Sequence, residues 1–241
     1  MQTLPLFVLP MVLMPGEIQE LRIFEPRYRQ MLDDCLLDEK NFGLVLNDPF
    51  SPTHSWDGPR SYGCEAEILH HETKGSNHFV QVIGRRRISV RSVHSPALPP
   101  FNDPMFESVI EDDSILPDVQ ELLEMIPKDS EHSKLYISAD VDYIEPHLNS
   151  TIKQQKQLQS LVEAVLNRIG GLLNIDGDML FDWVNSSPIM EVIDDGPNSV
   201  YSVASSLVDD LESRQLILGS QDIDAAISEL NLMFSSFGEE E

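Results

Sequence analysis

Arg85, Arg86 and Arg87 are the densest run of positive charge in a chain with 16 basic and 41 acidic residues. Guanidinium groups grip carboxylates and phosphates bidentately, so Arg85 and Arg87 are candidates for contacting an anion or a C-terminal carboxylate. Pairing with the chain's own acids is the competing use. His70, His71 and His78 come nearest to a metal cluster. Neighbouring residues of a strand point to opposite faces, so His70 and His71 cannot ligate together from one regular strand. No metal is expected. Cys35 and Cys64 are the only cysteines and lack CxxC spacing. Cys35 falls in an apolar helical stripe and reads as a small buried hydrophobe rather than a nucleophile. The chain contains no GxxxxGK[ST], GxGxxG, GxSxG or HExxH. It therefore carries no phosphate cradle, nucleophile elbow or zinc helix of those kinds. No catalytic residue and no cofactor is expected, and the chain reads as a non-enzyme.

Two further features bear on binding. Met11, Val12, Leu13 and Met14 form an apolar segment, and methionine adapts to varied apolar partners. Exposed, the segment would make an interaction patch; packed inward, it would be core. Trp56 is the second candidate, either anchoring a partner or folding back on its own domain. The formal charge of −25 repels phosphate backbones and anionic lipid, so neither nucleic acid nor membrane is an expected partner. Pro5, Pro10 and Pro15 interrupt the N-terminal apolar run, and no run reaches the roughly 20 residues of a membrane span. A soluble, cytoplasmic protein is expected.

The elements that must position these residues begin with Leu4 to Leu9, a strand continuous enough in apolar character to be covered on both faces. Pro10 should end it, and Pro15-Gly16 should turn the chain. A second strand follows from Glu17 to Ile23. Pro26 suits the first turn of a helix whose stripe is Tyr28, Met31, Leu32, Cys35 and Leu36. Phe42 to Leu46 reads as a short strand and Asn47 to Gly63 as a loop. Cys64 to Ile68 and the residues from Phe79 onward make a hairpin. In its second arm Val80, Val82, Ile88 and Val90 share a face, and a bulge at Gly84 would carry Arg86 outward. Met105 to Ile110 is a last strand candidate.

The period then changes. Leu158, Leu161, Val162, Val165, Leu166 and Ile169 make a helical stripe expected to stop at Gly170-Gly171. Val200 to Leu211 makes another. Ile223 to Phe234 makes a third, with Ser220 as its expected N-cap. Strands followed by helices give an α+β fold class. Three segments are expected: 1–113 a small β-lobe, 114–150 an irregular connector, and 151–241 a helical lobe.

The opening stretch carries more than periodicity. LPLF at Leu4 to Phe7, the turn Pro15-Gly16 and FEPRYR (Phe24, Glu25, Pro26, Arg27, Tyr28, Arg29) resemble the Lon substrate-binding domain family. FGLVL at Phe42 to Leu46, GCEAEI at Gly63 to Ile68, VIGRRRISV at Val82 to Val90 and SRQLIL at Ser213 to Leu218 extend the likeness. The resemblance implies a small, pseudo-barrel-like, mostly antiparallel β-lobe with one packed helix, followed by a C-terminal helical bundle. It implies no zinc and no nucleotide. By resemblance the chain is a non-catalytic module engaging unfolded or tagged polypeptides or a partner protein. The alternative is an adaptor that docks onto a separate ATPase or protease, or self-associates through its helical lobe.

Overall fold

The computed structural model describes residues 2–75, 77–106 and 117–236. The chain divides into two compact units, Met1–Leu13 with Ile18–Ile144, and Met14–Glu17 with Glu145–Glu241. The boundary expected at residue 113 lies outside the described residues, as do 107–110 of the last strand candidate.

The first unit is built on strands β1 (Gln2–Leu9), β2 (Ile18–Ile23), β3 (Phe42–Thr53), β4 (Trp56–Lys74), β5 (Asn77–His94) and β6 (Ser138–Tyr143). Their order is β2-β5-β4-β3-β1-β6, and β6 also pairs with β5. That last pairing closes β5-β4-β3-β1-β6 into a small barrel and leaves β2 as an appended edge. Most pairs are antiparallel, but β1 and β3 run parallel from Leu6↔Gly43 to Leu9↔Leu46. The chain between them makes β2 and helix α1 (Pro26–Leu37) before returning beside β1.

β1 is apolar on both faces because both faces are buried. Leu4, Leu6 and Val8 pack with Val45, Ile88, Ala139 and Val141, whereas Phe7 packs with Tyr28, Met31, Leu32, Cys35 and Phe42 of the second cluster. Pro26 opens α1 at its first turn, where a missing N–H costs nothing. Tyr28 locks the helix to β1 by donating its hydroxyl to the Val8 carbonyl at 2.7 Å. Burial pushes that phenol far above its ordinary range. Leu36, expected in the buried stripe, lies at the exposed end of the helix.

Four expectations for this unit are corrected. Asn47 to Gly63 is not a loop: β3 and β4 continue through it as a hairpin, closed by His54 and Ser55 at φ 49° and 67°. Two consecutive left-handed residues make a tight turn that the sequence hides, since neither is Gly or Asn. Between Ala66↔Gly84 and Cys64↔Arg87, Arg85 and Arg86 stand against Glu65 alone. This is the expected bulge, and it turns both arginines outward. It also splits the shared face, placing Val80 and Val82 in one cluster and Ile88 with Val90 in the other. Within 114–150 the described residues hold helix α2 (Val119–Met125) and the barrel strand β6, so this stretch is no irregular connector. Met105 and Phe106 lie in a 3-10 turn.

The second unit carries α3 (Ile152–Leu172), α4 (Gly177–Asn185), α5 (Pro188–Glu191), α6 (Ser199–Leu207), α7 (Leu211–Leu218) and α8 (Ile223–Ser236). α3 runs through Gly170-Gly171 instead of stopping there. The Leu180 side chain occupies the place a Gly170 Cβ would need, so this glycine serves helix packing. The stripe from Val200 to Leu211 breaks into two helices at Val208, and Asp210 caps the second by accepting the Ser213 N–H at 2.7 Å. Asp222, not Ser220, caps α8, accepting the Ala225 N–H at 2.8 Å.

Candidate functional site

The segment Met11 to Met14 is packed inward. Val12, Leu13 and Met14 are buried, and Met11 packs half-buried against the cluster around Tyr28. The expected interaction patch is therefore core. The turn that follows has a positional role. Gly16 sits at φ 84°, and the Glu17 N–H returns to the Met14 carbonyl at 3.1 Å. The Glu17 carboxylate accepts the Met14 N–H at 2.8 Å and pairs with Arg214 of α7 at 2.6 Å. Two stretches of the resemblance, the Pro15-Gly16 turn and SRQLIL, thus meet in one ion pair. Sequence reading passed over Glu17 because nothing local marks a carboxylate whose partner is so distant in the chain.

Trp56 folds back onto its own unit. Its indole N–H donates to the Leu98 carbonyl at 3.0 Å, and its ring meets Phe101 edge-on at 5.7 Å. The Arg27 guanidinium lies 3.8 Å above the ring and holds Glu25 at 2.9 Å. Trp56, Arg27 and Glu25 line a polar hollow of about 370 Å³ with Asn47, Asp57 and Asn102. FEPRYR thereby divides its labour: Pro26 and Tyr28 are buried, Arg27 stacks on the hairpin tryptophan, and Phe24 stays exposed.

Two members of the arginine run pair with local acids. Arg85 pairs with Glu67 at 2.5 Å, while Arg86 grips the buried Glu65 carboxylate at 2.7 and 3.1 Å. Arg86 also lies 3.5 Å above the Tyr143 ring, and the Tyr143 hydroxyl donates to Glu65 at 2.9 Å. Burial alone would raise the Glu65 carboxyl. Hydrogen bonds from Arg86, Tyr143 and Asn41, with the Arg86 charge, outweigh it and hold the carboxyl below its usual range. Burial, and then Glu65, push the Tyr143 phenol up to about 12. Arg87 is buried, so it offers no surface for an anion. His71 Nε2 lies 3.1 Å from His78 Nδ1, with the Thr73 hydroxyl 3.2 Å from each. Among the described residues no group of three or more His, Cys, Asp or Glu could hold a metal ion.

A concave apolar surface lies in the helical unit. A groove of about 800 Å³ is lined by Leu161, Val165, Ile169 and Leu172 of α3 and by Leu207, Met233 and Phe234. The spacing of the α3 residues sets them along one side of the helix. Asp209 and Asp210 stand at the rim between α6 and α7, with Arg168 on α3. Hydrogen bonds from Ser213 keep the Asp210 carboxyl below its usual range. Apolar lining under a charged rim suits an apolar chain segment. The α3 and α8 stripes were visible in the sequence; that they leave an open channel was not.

Residues 3–234 match the family described as ATP-dependent protease La (LON) substrate-binding domain. The chain resembles the crystal structure of a Lon N-terminal domain protein from Xanthomonas campestris, with TM-score 0.57, 19% identity and coverage of 98% of each chain. It also resembles the N-terminal domain of Mycobacterium avium complex Lon protease, with TM-score 0.55, 14% identity and coverage of 100% of each chain. At these identities the likeness establishes the fold. Among curated proteins no match was found.

Proposed function

Because this chain belongs to the LON substrate-binding domain family, we propose that it is a non-catalytic module binding unfolded or tagged polypeptides through the groove of its helical unit. The observation that carries this reading is the groove, about 800 Å³ with Leu161, Val165, Ile169, Leu172 and Phe234 in its lining. Each Å² of apolar surface that a bound segment removes from water contributes about 25 cal/mol. Unfolded polypeptides are the partners that carry such surface in the open. Both cysteines are buried and neither is in a disulfide, consistent with work in a reducing compartment such as the cytoplasm. The net charge of −25 disfavours nucleic acid as a partner.

The test is fluorescence anisotropy of a reduced, unfolded model protein titrated with the full chain. Wild type should bind, and the Ile169→Asp, Leu172→Asp double variant should lose binding while its circular dichroism stays unchanged. Absence of wild-type binding at tens of micromolar, with the fold intact, overturns the reading.

One observation favours a second reading. Met179 and Phe181 of α4 are largely exposed and do not line the groove. They suit an adaptor that docks onto a separate ATPase or protease. A Phe181→Ser variant that still binds unfolded protein but loses such a partner in a pull-down would establish it.

A further inference from the structure

β2 is the exposed edge of the sheet. It pairs with β5 without interruption from Ile18↔Ile83 to Ile23↔His78, and among the described residues no strand pairs with its other side. Such an edge presents backbone donors and acceptors that no strand satisfies, the Glu20 carbonyl accepting only the Gln19 side-chain amide at 3.1 Å, and is a template for another strand unless Pro, a bulge or repelling charges blunt it. β2 contains no proline, and its ladder with β5 has no bulge. Its outward row is Ile18, Glu20, Arg22 and then Phe24, the residue after the strand. Ile18 is 55% exposed and Phe24 53% exposed. Glu20 and Arg22 of this row border a hollow of about 420 Å³, lined also by Phe79, Gln81, His70 and Glu72.

This row is complementary to itself. When two copies of β2 run antiparallel about a two-fold axis at Leu21, position 20 faces 22 and position 18 faces 24. Each Glu20 then meets an Arg22, and each Ile18 meets a Phe24. Directly opposed charges of opposite sign and apolar pairs stabilise a cross-strand contact, whereas like charges destabilise it. Centring the axis on position 20 sets Glu20 against Glu20, and centring it on position 22 sets Arg22 against Arg22. An in-register parallel pair does both. Among axes at positions 20, 21 and 22, only the one at Leu21 avoids like-charge pairs, and it alone matches both the charged and the apolar members of the row.

We propose that the free edge of β2 is a self-association site, at which a second copy of this chain adds antiparallel about Leu21 to continue the sheet. The partner is a second copy because Ile18-x-Glu20-x-Arg22-x-Phe24 is the pattern that the edge itself calls for. The contact is small, and the −25 charge of each copy opposes approach at low ionic strength. Dimerisation is accordingly weak and strengthens with salt, as screening shortens the reach of the net repulsion. This reading stands independently of the groove.

The experiment is sedimentation equilibrium of the full chain at submillimolar concentration in about 0.3 M salt, where the Debye length is below ~8 Å. Wild type should show a weight-average mass that rises with concentration from the monomer's towards twice that value. Glu20→Arg alone and Arg22→Glu alone should each show the monomer mass, because each places two like-charge pairs across the axis. An equimolar mixture of the two variants should regain the dimer, as should the Glu20→Arg, Arg22→Glu double variant. Both positions are exposed, so circular dichroism should stay unchanged throughout. A monomeric wild type overturns the proposal, even if an extended peptide of the same pattern binds the edge. A dimer that persists in both single variants overturns it too.

Discussion

In the β unit the arginines that the bulge turns outward are met at once: Arg85 by Glu67, and Arg86, stacked on the Tyr143 ring, by Glu65. In the helical unit the outward row of α3 opens instead into a channel lined by Val165, Ile169, Leu172 and Phe234. The difference follows from what each element can satisfy internally. A closed sheet fixes neighbours at short, regular spacing, so charged side chains across strands find partners and apolar ones find two interiors. Helices of unequal length, joined by a break such as Val208–Asp210, meet along parts of their surfaces and leave grooves. The binding surface proposed from side-chain area therefore falls in the helical unit. The β unit offers a surface made of backbone, at β2.

The sharpest way to test that division is to truncate a leucine on each side. Leu13 is fully buried, and Leu13→Ala should destabilise by about 2–5 kcal/mol in urea denaturation. Leu172 is 76% exposed, and Leu172→Ala should stay within about 0.5 kcal/mol. Equal losses would mean that the groove residue is structural, and the contrast would collapse.

The next effect belongs to Glu65. Replacing it with Ala removes the acceptor of two Arg86 hydrogen bonds and one from Tyr143, and should cost about 1–3 kcal/mol. Its folded carboxyl lies below the ordinary value of roughly 4.3, so its contribution is complete above that value. As pH falls through the folded value, the contribution is lost. Melting temperature plotted against pH should therefore drop more steeply in wild type than in Glu65→Ala over the acid range. Parallel curves would show that the pair contributes nothing to acid stability.

The smallest effects are expected where exposure or burial cancels chemistry. Arg85→Ala should change stability by no more than about 0.5 kcal/mol, since an exposed pair is weak. Burial, with Asp34 and Asp38 nearby, pushes the Cys35 thiol up to about 12. Cys35 and Cys64 should both resist a thiol reagent in the native chain and react only on unfolding. Rapid native labelling of either would break the picture of a closed interior.

The parts legible in the sequence were those set by near neighbours. Pro26 with Tyr28, Met31, Leu32 and Cys35 specified α1 and its buried face, and Gly84 with the arginine run specified a bulge. What stayed hidden depended on distant partners or on unmarked backbone. Residues His54 and Ser55 close a hairpin without the glycine that signals one. β6 looked like connector until its pairing with both β1 and β5 was seen.

The sequence by itself determined the family, the α+β class and most of the buried stripe of α1, because those depend on periodicity and on residues a few positions apart. It could not decide whether Met11 to Met14 was patch or core, because that rests on which surfaces pack over them. Nor could it show that β2 is left at an edge or that α3 and α8 line a channel. Those follow from strand order and helix placement, which are decided only when distant segments compete for the same neighbours.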